Sequence, residues 1–191
     1  MTEYKNARRS KKLIKEAFLS LMKEKSVERI SICDIVRKAG LNRGTFYAHY
    51  QTPFDILREM EEEVNNRIFE LMGDIVFLDF IKNPAVTFRA ITEFLSKNKE
   101  PYQTFLRYYY PADFLKKLKD ELYLKLLENT SIPGFIRTSH SFKIALDFVM
   151  EGAIATYRNW IIGDLVTDEK ELNSILTKMV KKIASIFVFV I

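Results

Sequence analysis

The sequence predicts an all-α chain, with an N-terminal three-helix domain containing a helix-turn-helix and a larger C-terminal helical domain. Three observations predict it. Only 6 of 191 residues are Gly and 5 are Pro, and no alternating apolar–polar run is long enough to build a sheet. Apolar residues recur at helical spacing along most of the chain. The stretch Ala39-Gly40-Leu41-Asn42-Arg43-Gly44-Thr45-Phe46-Tyr47-Ala48-His49-Tyr50 reads as a helix ended by a glycine turn, then a very short helix with polar and aromatic groups outside. The length suffices to bury a core in one large domain or two small ones. The expected division is 1–52 and 53–191.

The first helix is expected near Lys11 to Lys25, with Leu13, Ile14, Ala17, Phe18, Leu21 and Met22 on one stripe. Basic residues before it (Lys5, Arg8, Arg9) are expected on a flexible N-terminus. The second helix opens at Ser31 as N-cap, with Asp34 in its first turn, where a carboxylate suits the helix dipole. Ile32, Ile35, Val36 and Ala39 share one face, and Gly40 supplies the left-handed stop. Leu41 fills the gap between the two helices. Asn42 caps the third helix, which places Arg43 and Thr45 in its first turn. Gly44 leaves room for close backbone approach. Phe46 faces inward with Tyr50 one turn on, and Tyr47 and His49 fall on other faces, within reach of phosphate or base edges.

A fourth helix starts at Pro53, with Thr52 as cap and Pro at its first position, and points Leu57, Met60, Val64, Ile68 and Leu71 inward. Prolines open the next three: Pro84 to about Lys97, Pro101 to before Pro111, and Pro111 to about Glu128. Residues 129–134 form a loop. Two long helices close the chain, near Ser139–Ile162 and Asp168–Phe189, the last opened by Asp168 and Glu171 in a capping-box-like pattern.

Charge is uneven. Residues 1–50 hold 12 Lys and Arg against 5 Asp and Glu, a net of +7, while the remainder holds 18 against 20, a net of −2. A basic head on a near-neutral body suggests a polyanion partner for the head alone.

The helix-turn-helix residues resemble the TetR family of bacterial transcriptional regulators. Ile35, Val36, Ala39, Gly40, Gly44, Thr45, Phe46, Tyr47 and His49 match that family's pattern at fixed spacing, with Tyr50 in place of its Phe. Pro53 departs from it, standing where the family has a phosphate-binding Lys. The resemblance covers about the first sixty residues. It implies binding to double-stranded DNA at a palindromic operator, by a homodimeric repressor released by a small effector. Ser31, Arg37, Asn42, Arg43, Gly44, Thr45, Tyr47 and His49 are then the expected DNA-binding residues. Arg43 and Thr45 would read bases, and Ser31, Arg37, Tyr47 and His49 would hold phosphates. Lys5, Arg8, Arg9, Lys11 and Lys12 would supply salt-dependent attraction.

The body carries two further hints. In the last helix Leu172, Ile175, Leu176, Met179, Val180, Ile183, Ala184, Phe187 and Val188 form a wide apolar stripe. In the preceding helix Ala145, Val149, Gly152, Ala153 and Thr156 place small groups on one side. Such a pair resembles the four-helix dimer bundle of TetR-type regulators; facing their own core is the other reading. The second hint is an aromatic cluster, Tyr102, Phe105, Tyr108, Tyr109, Tyr110 and Phe114, with Tyr157 and Trp160 downstream. Aromatics with hydroxyl tips suit an apolar or aromatic small molecule, and suit a plain core equally. Glu151, in an otherwise apolar helix, either meets a ligand or pairs with a cation. Tyr102, Phe105, Tyr109, Glu151 and Tyr157 are the candidate effector residues. The alternative is a co-regulator or activator whose body binds a partner protein, since some regulators with a similar Gly152–Trp160 segment act that way.

Other classes find little support. One cysteine, Cys33, excludes an internal disulfide and reads as a small buried hydrophobe. His49 and His140 have no second ligand at zinc spacing, so no metal or cofactor is expected. Glu59, Glu61, Glu62 and Glu63 are contiguous enough to read as a solvated face. No phosphate-binding Gly-rich loop or nucleophile elbow occurs, which argues against an enzyme. No signal peptide is evident, and the apolar run 183–191 is too short to span a bilayer, which takes about 20 residues. A cytoplasmic protein without membrane contact is expected.

Overall fold

The structure, a computed structural model, describes residues 2–73, 76–109 and 112–188. Among them are eleven α-helices and no strand. In chain order these are α1 Thr2–Met22, α2 Ile32–Ala39, α3 Arg43–Tyr47, α4 Phe54–Gly73, α5 Phe77–Lys82, α6 Ala85–Lys97, α7 Lys99–Tyr108, α8 Ala112–Glu128, α9 Gly134–Arg137, α10 His140–Ile162 and α11 Glu169–Val188. They form two compact units. One is Met1–Val64 with Glu100–Tyr110, and the other is Asn65–Lys99 with Pro111–Ile191. These two compact units divide within α4, and α7 belongs to the first of them.

In the first unit α1 begins at Thr2, well before Lys11. The segment before Lys11 contains Glu, Lys, Ala and two Arg and no Gly or Pro, so it favours helix over the expected flexible arm. The apolar stripe is otherwise as expected. Ile14, Phe18, Leu21 and Met22 are buried, as are Ile35 and Val36 of α2, Phe46 and Tyr50 beyond the turn, and Ile56, Leu57 and Met60 of α4. Tyr102 and Phe105 of α7 are buried in the same unit. Lys23 pairs with Glu100 at 3.4 Å, fastening the end of α1 to the start of α7.

The start of α4 is built differently from expectation. The helix begins at Phe54, and the Asp55 carboxylate accepts the backbone N–H groups of Gln51 and Thr52, each at 2.8 Å. Asp55 is therefore held below the usual carboxylate range, chiefly by the Thr52 N–H. Glu59 and Glu63 are not merely solvated. Glu59 receives Lys11 at 2.6 Å, and Glu63 receives Lys15 at 2.7 Å, which ties α4 to α1.

In the second unit α10 packs with α8 and α11, and α11 with α6. Leu172, Leu176, Val180 and Ala184 are the buried face of α11. Ser139 caps α10, accepting the Phe142 N–H at 3.2 Å, and Gly163 ends it with φ 87°. Asp168 caps α11 through the Glu171 N–H at 2.7 Å. The Trp160 indole donates to the Thr167 carbonyl at 3.1 Å beneath the Lys99 ammonium, 4.4 Å above its ring. The helices α5 and α9 were not foreseen, being too short to show a period. Within the expected loop, Ser131 accepts the Phe77 N–H at 2.9 Å, and Ile132 is buried in a cluster with Ile136 of α9 and Phe142. The expected helix start at Pro111 and helix end at Phe189 lie outside the described residues.

Candidate nucleic-acid interface

Two caps set the geometry of the turn. Ser31 and Asp34 form a full capping box: the Ser31 hydroxyl accepts the Asp34 N–H at 3.2 Å, and Asp34 accepts the Ser31 N–H at 3.1 Å. Lys25 adds an ion pair to Asp34 at 2.7 Å. The Lys25 hydrogen bond, then those from Ser31, hold this carboxyl far below its ordinary range. Gly40 closes α2 with φ 65°, and the Leu41 N–H reaches back to the Val36 carbonyl at 2.9 Å. Asn42 then caps α3, its side-chain oxygen accepting the Thr45 N–H at 2.8 Å and the Thr45 hydroxyl at 3.1 Å.

This arrangement turns the short α3 outward. Phe46 is fully buried, and Tyr50 nearly so, with ring centroids 5.9 Å apart. Arg43, Gly44 and Tyr47 are exposed, Tyr47 at 58%. Arg37 and Ser31 on α2 are exposed as well, and Thr45 is half-buried. Arg8, Arg9 and Lys12 stand exposed on α1 in the same unit. The side chain of Lys5 lies outside the described residues.

Three expectations change. Cys33 is half-buried, not buried, and accepts a hydrogen bond from the Arg43 guanidinium. A β-carbon on Gly44 would meet the Asn42 side-chain oxygen at 3.2 Å, so this glycine protects the cap of its own helix. His49 is half-buried, with Nε2 2.8 Å from the Ser10 hydroxyl of α1. Sequence reasoning missed Ser10 because 39 residues separate the pair. Asp55 carried a signal, since Thr52 and Asp55 repeat the spacing of Ser31 and Asp34.

The candidate effector residues divide between the units. Tyr102, Phe105 and Tyr109 lie on or just after α7 in the first unit, the first two buried and Tyr109 half-buried, its ring 5.6 Å from that of Phe105. Burial, then the Glu63 charge, pushes the Tyr102 phenol well above its ordinary range. Tyr110 lies outside the described residues. Glu151 and Tyr157 lie on α10 in the second unit. Glu151 is exposed and receives Lys119 of α8 at 2.6 Å. Tyr157 is buried and donates to the Phe88 carbonyl at 3.1 Å, beside Thr92, also at 3.1 Å. Burial pushes its phenol up to about 12.

The long helices each show two faces. On α11 the buried positions alternate with exposed Ile175, Met179 and Ile186. On α10 the outer face carries Ile144 and Phe148, 71% and 70% exposed, then Gly152 and Ala155. Ala145, Val149, Ala153 and Thr156 of the expected small-residue side are half-buried, so the open face lies one position away from it. The side chains of Phe187 and Val188 lie outside the described residues.

No family model matches the chain. It is 22% identical over 184 residues to the uncharacterised HTH-type transcriptional regulator YxbF of Bacillus subtilis (strain 168). That match takes in 83% of this chain and 48% of YxbF, so the chain spans about half the length of this relative. A TetR transcriptional regulator from Streptococcus agalactiae 2603V superposes with TM-score 0.59 at 22% identity, over 94% of this chain and 98% of that one. A TetR-family regulator from Syntrophomonas wolfei str. Goettingen gives 0.60 at 18% identity, over 93% and 96%. The dihydroxyacetone kinase operon activator DhaS gives 0.52 at 19%, over 90% and 93%. With its capped turn, outward α3 and a body whose described elements are all helices, the chain has the fold of the TetR-type transcriptional regulators.

Proposed function

We propose that the chain is a DNA-binding transcriptional regulator, with residues 1–52 as its DNA-binding head and 53–191 as its effector and dimerisation body. One observation carries the reading. The Asn42-capped α3 buries Phe46 and leaves Arg43 and Tyr47 exposed, in a unit that also exposes Arg8, Arg9, Lys12 and Arg37. A short helix presenting its first turn, with cations around it, suits base edges in a major groove flanked by phosphates. Pro53 removes one cation from that set.

The protein acts as a homodimer through α10 and α11. Ile144, Phe148, Ile175, Met179 and Ile186 are large apolar groups left in water on these two helices, which a second copy would cover. Pairing two heads supplies a palindromic site with the affinity that one helix-turn-helix lacks. The first form of regulation is repression released by a small apolar or aromatic effector that favours a dimer with wrongly spaced heads. A second form is favoured by Glu151 and Tyr157, whose polar tips are engaged with Lys119, Phe88 and Thr92. In this form a partner protein gates the regulator, which then serves as a co-regulator or activator. The likeness to an operon activator is in keeping with it.

The test is binding to duplexes from the DNA flanking its own gene, titrated with salt. Sequence-selective binding with a steep salt slope supports the regulator. Absence of selectivity at low salt overturns it. Ligand screening by thermal shift then separates the two forms, since only the small-molecule form shifts without an added protein.

A further inference from the structure

The Ser10 hydroxyl has one proton and two neighbours. It lies 3.0 Å from the Ala7 carbonyl, one turn back in α1, and 2.8 Å from Nε2 of His49. A serine inside a helix can give its proton to the carbonyl three or four residues back. If the proton is used there, the oxygen has only lone pairs for the imidazole, and Nε2 is then the donor. The neutral ring then carries its proton on Nε2, and Nδ1 is the nitrogen that Ser10 leaves open.

The next residue of each partner makes a second tie. Lys11 sits 5.7 Å from the centre of the Tyr50 ring, and both Lys11 and the Tyr50 hydroxyl meet Glu59, at 2.6 and 3.2 Å. Ser10–His49 and Lys11–Tyr50 together clamp α1 to the end of the recognition segment. We propose that Ser10 is a positioning residue for DNA recognition: by accepting from Nε2–H of His49 it fixes the imidazole's tautomer and registers the basic ridge of α1 against α3. His49 then works mainly as a brace inside the head, with one ring nitrogen withdrawn from DNA. This rests on the DNA-binding reading above.

The experiment uses the full chain, labelled with ¹⁵N, and records long-range ¹H–¹⁵N correlations of the imidazoles at neutral pH, with His49→Gln assigning the signal. The Nε2–H tautomer is expected in the wild type. Ser10→Ala should release that preference and weaken selective duplex binding about fivefold, the equivalent of one net hydrogen bond. Ser10→Thr, which keeps the hydroxyl, should restore both. An Nδ1–H tautomer in the wild type overturns the proposal, as does a Ser10→Ala protein with unchanged spectrum and binding. The tautomer is read without DNA, so a failure of the regulator reading leaves that result standing.

Discussion

Arg43 donates from its guanidinium to the thiol of Cys33, across the turn that joins α3 to α2. The side chain proposed to read a base is thus parked on a neighbour. Sulfur is a weak acceptor, so the parked state yields readily to the paired acceptors of a guanine edge. Arg43→Ala should relax sequence preference at one position per half-site, by about 1–3 kcal/mol in selective binding. Comparing selected and scrambled duplexes checks it. Equal weakening on both would make Arg43 a phosphate contact.

The left-handed stop of α2 gives a second prediction. A β-carbon on Gly40 meets nothing within 4 Å, so the cost of Gly40→Ala is conformational alone. At φ 65° that cost is about 1–2 kcal/mol. Gly40→Asn should recover much of it, because asparagine tolerates this region. Urea denaturation of the two variants beside the wild type measures both.

The capping box makes stability depend on acid. Asp34 titrates well below its ordinary range, held there by Lys25 and Ser31. Its contribution is therefore complete above the ordinary carboxylate range near pH 4 and is lost as pH falls below that toward the depressed native value. Asp34→Asn should lower the melting temperature at pH 7 and flatten the acid limb between about pH 5 and pH 2. A melting series across that range reads the difference, and parallel acid limbs would contradict it.

Phe148 is the largest exposed apolar group on α10, at 70%. Phe148→Glu should leave the monomer folded, since the side chain lies in water, and should abolish the proposed dimer. Sedimentation equilibrium of the variant decides, and an unchanged dimer would move the interface off this face.

Inside the second unit, Tyr157→Phe removes the donor to the Phe88 carbonyl and the contact with Thr92. The expected cost is about 1 kcal/mol, read by denaturation. A loss of effector response at unchanged stability would instead place Tyr157 in a ligand site.

The helices with their own punctuation were legible in the sequence. Ser31, Gly40, Asn42 and Asp168 each sit where a cap must sit, and each makes the hydrogen bond its chemistry implies. Buried stripes such as Ile14, Phe18 and Leu21 followed from period alone. Pairings remote in sequence were not legible. Nothing local joins Ser10 to His49, Arg43 to Cys33, or Glu151 to Lys119. Periodicity also fails to say which apolar face meets the protein's own core, and so α11 divided into Leu172, Leu176 and Val180 within and Ile175 and Met179 without. The candidate effector residues also come from distant parts of the chain. Tyr102 and Phe105 belong to one unit and Tyr157 to the other.

The membership of α7 in the N-terminal unit has a consequence for how the protein is made. The first unit cannot close its core until residues 100–110 have been synthesised, which follow α5 and α6 in the chain. Its last contacts span nearly half the chain, so their closure is slow relative to the turn that carries α3. Head grafts cut at residue 52 or 64 would carry the turn and leave Tyr102 and Phe105 behind. A transplantable head has to bring that eleven-residue tail with it.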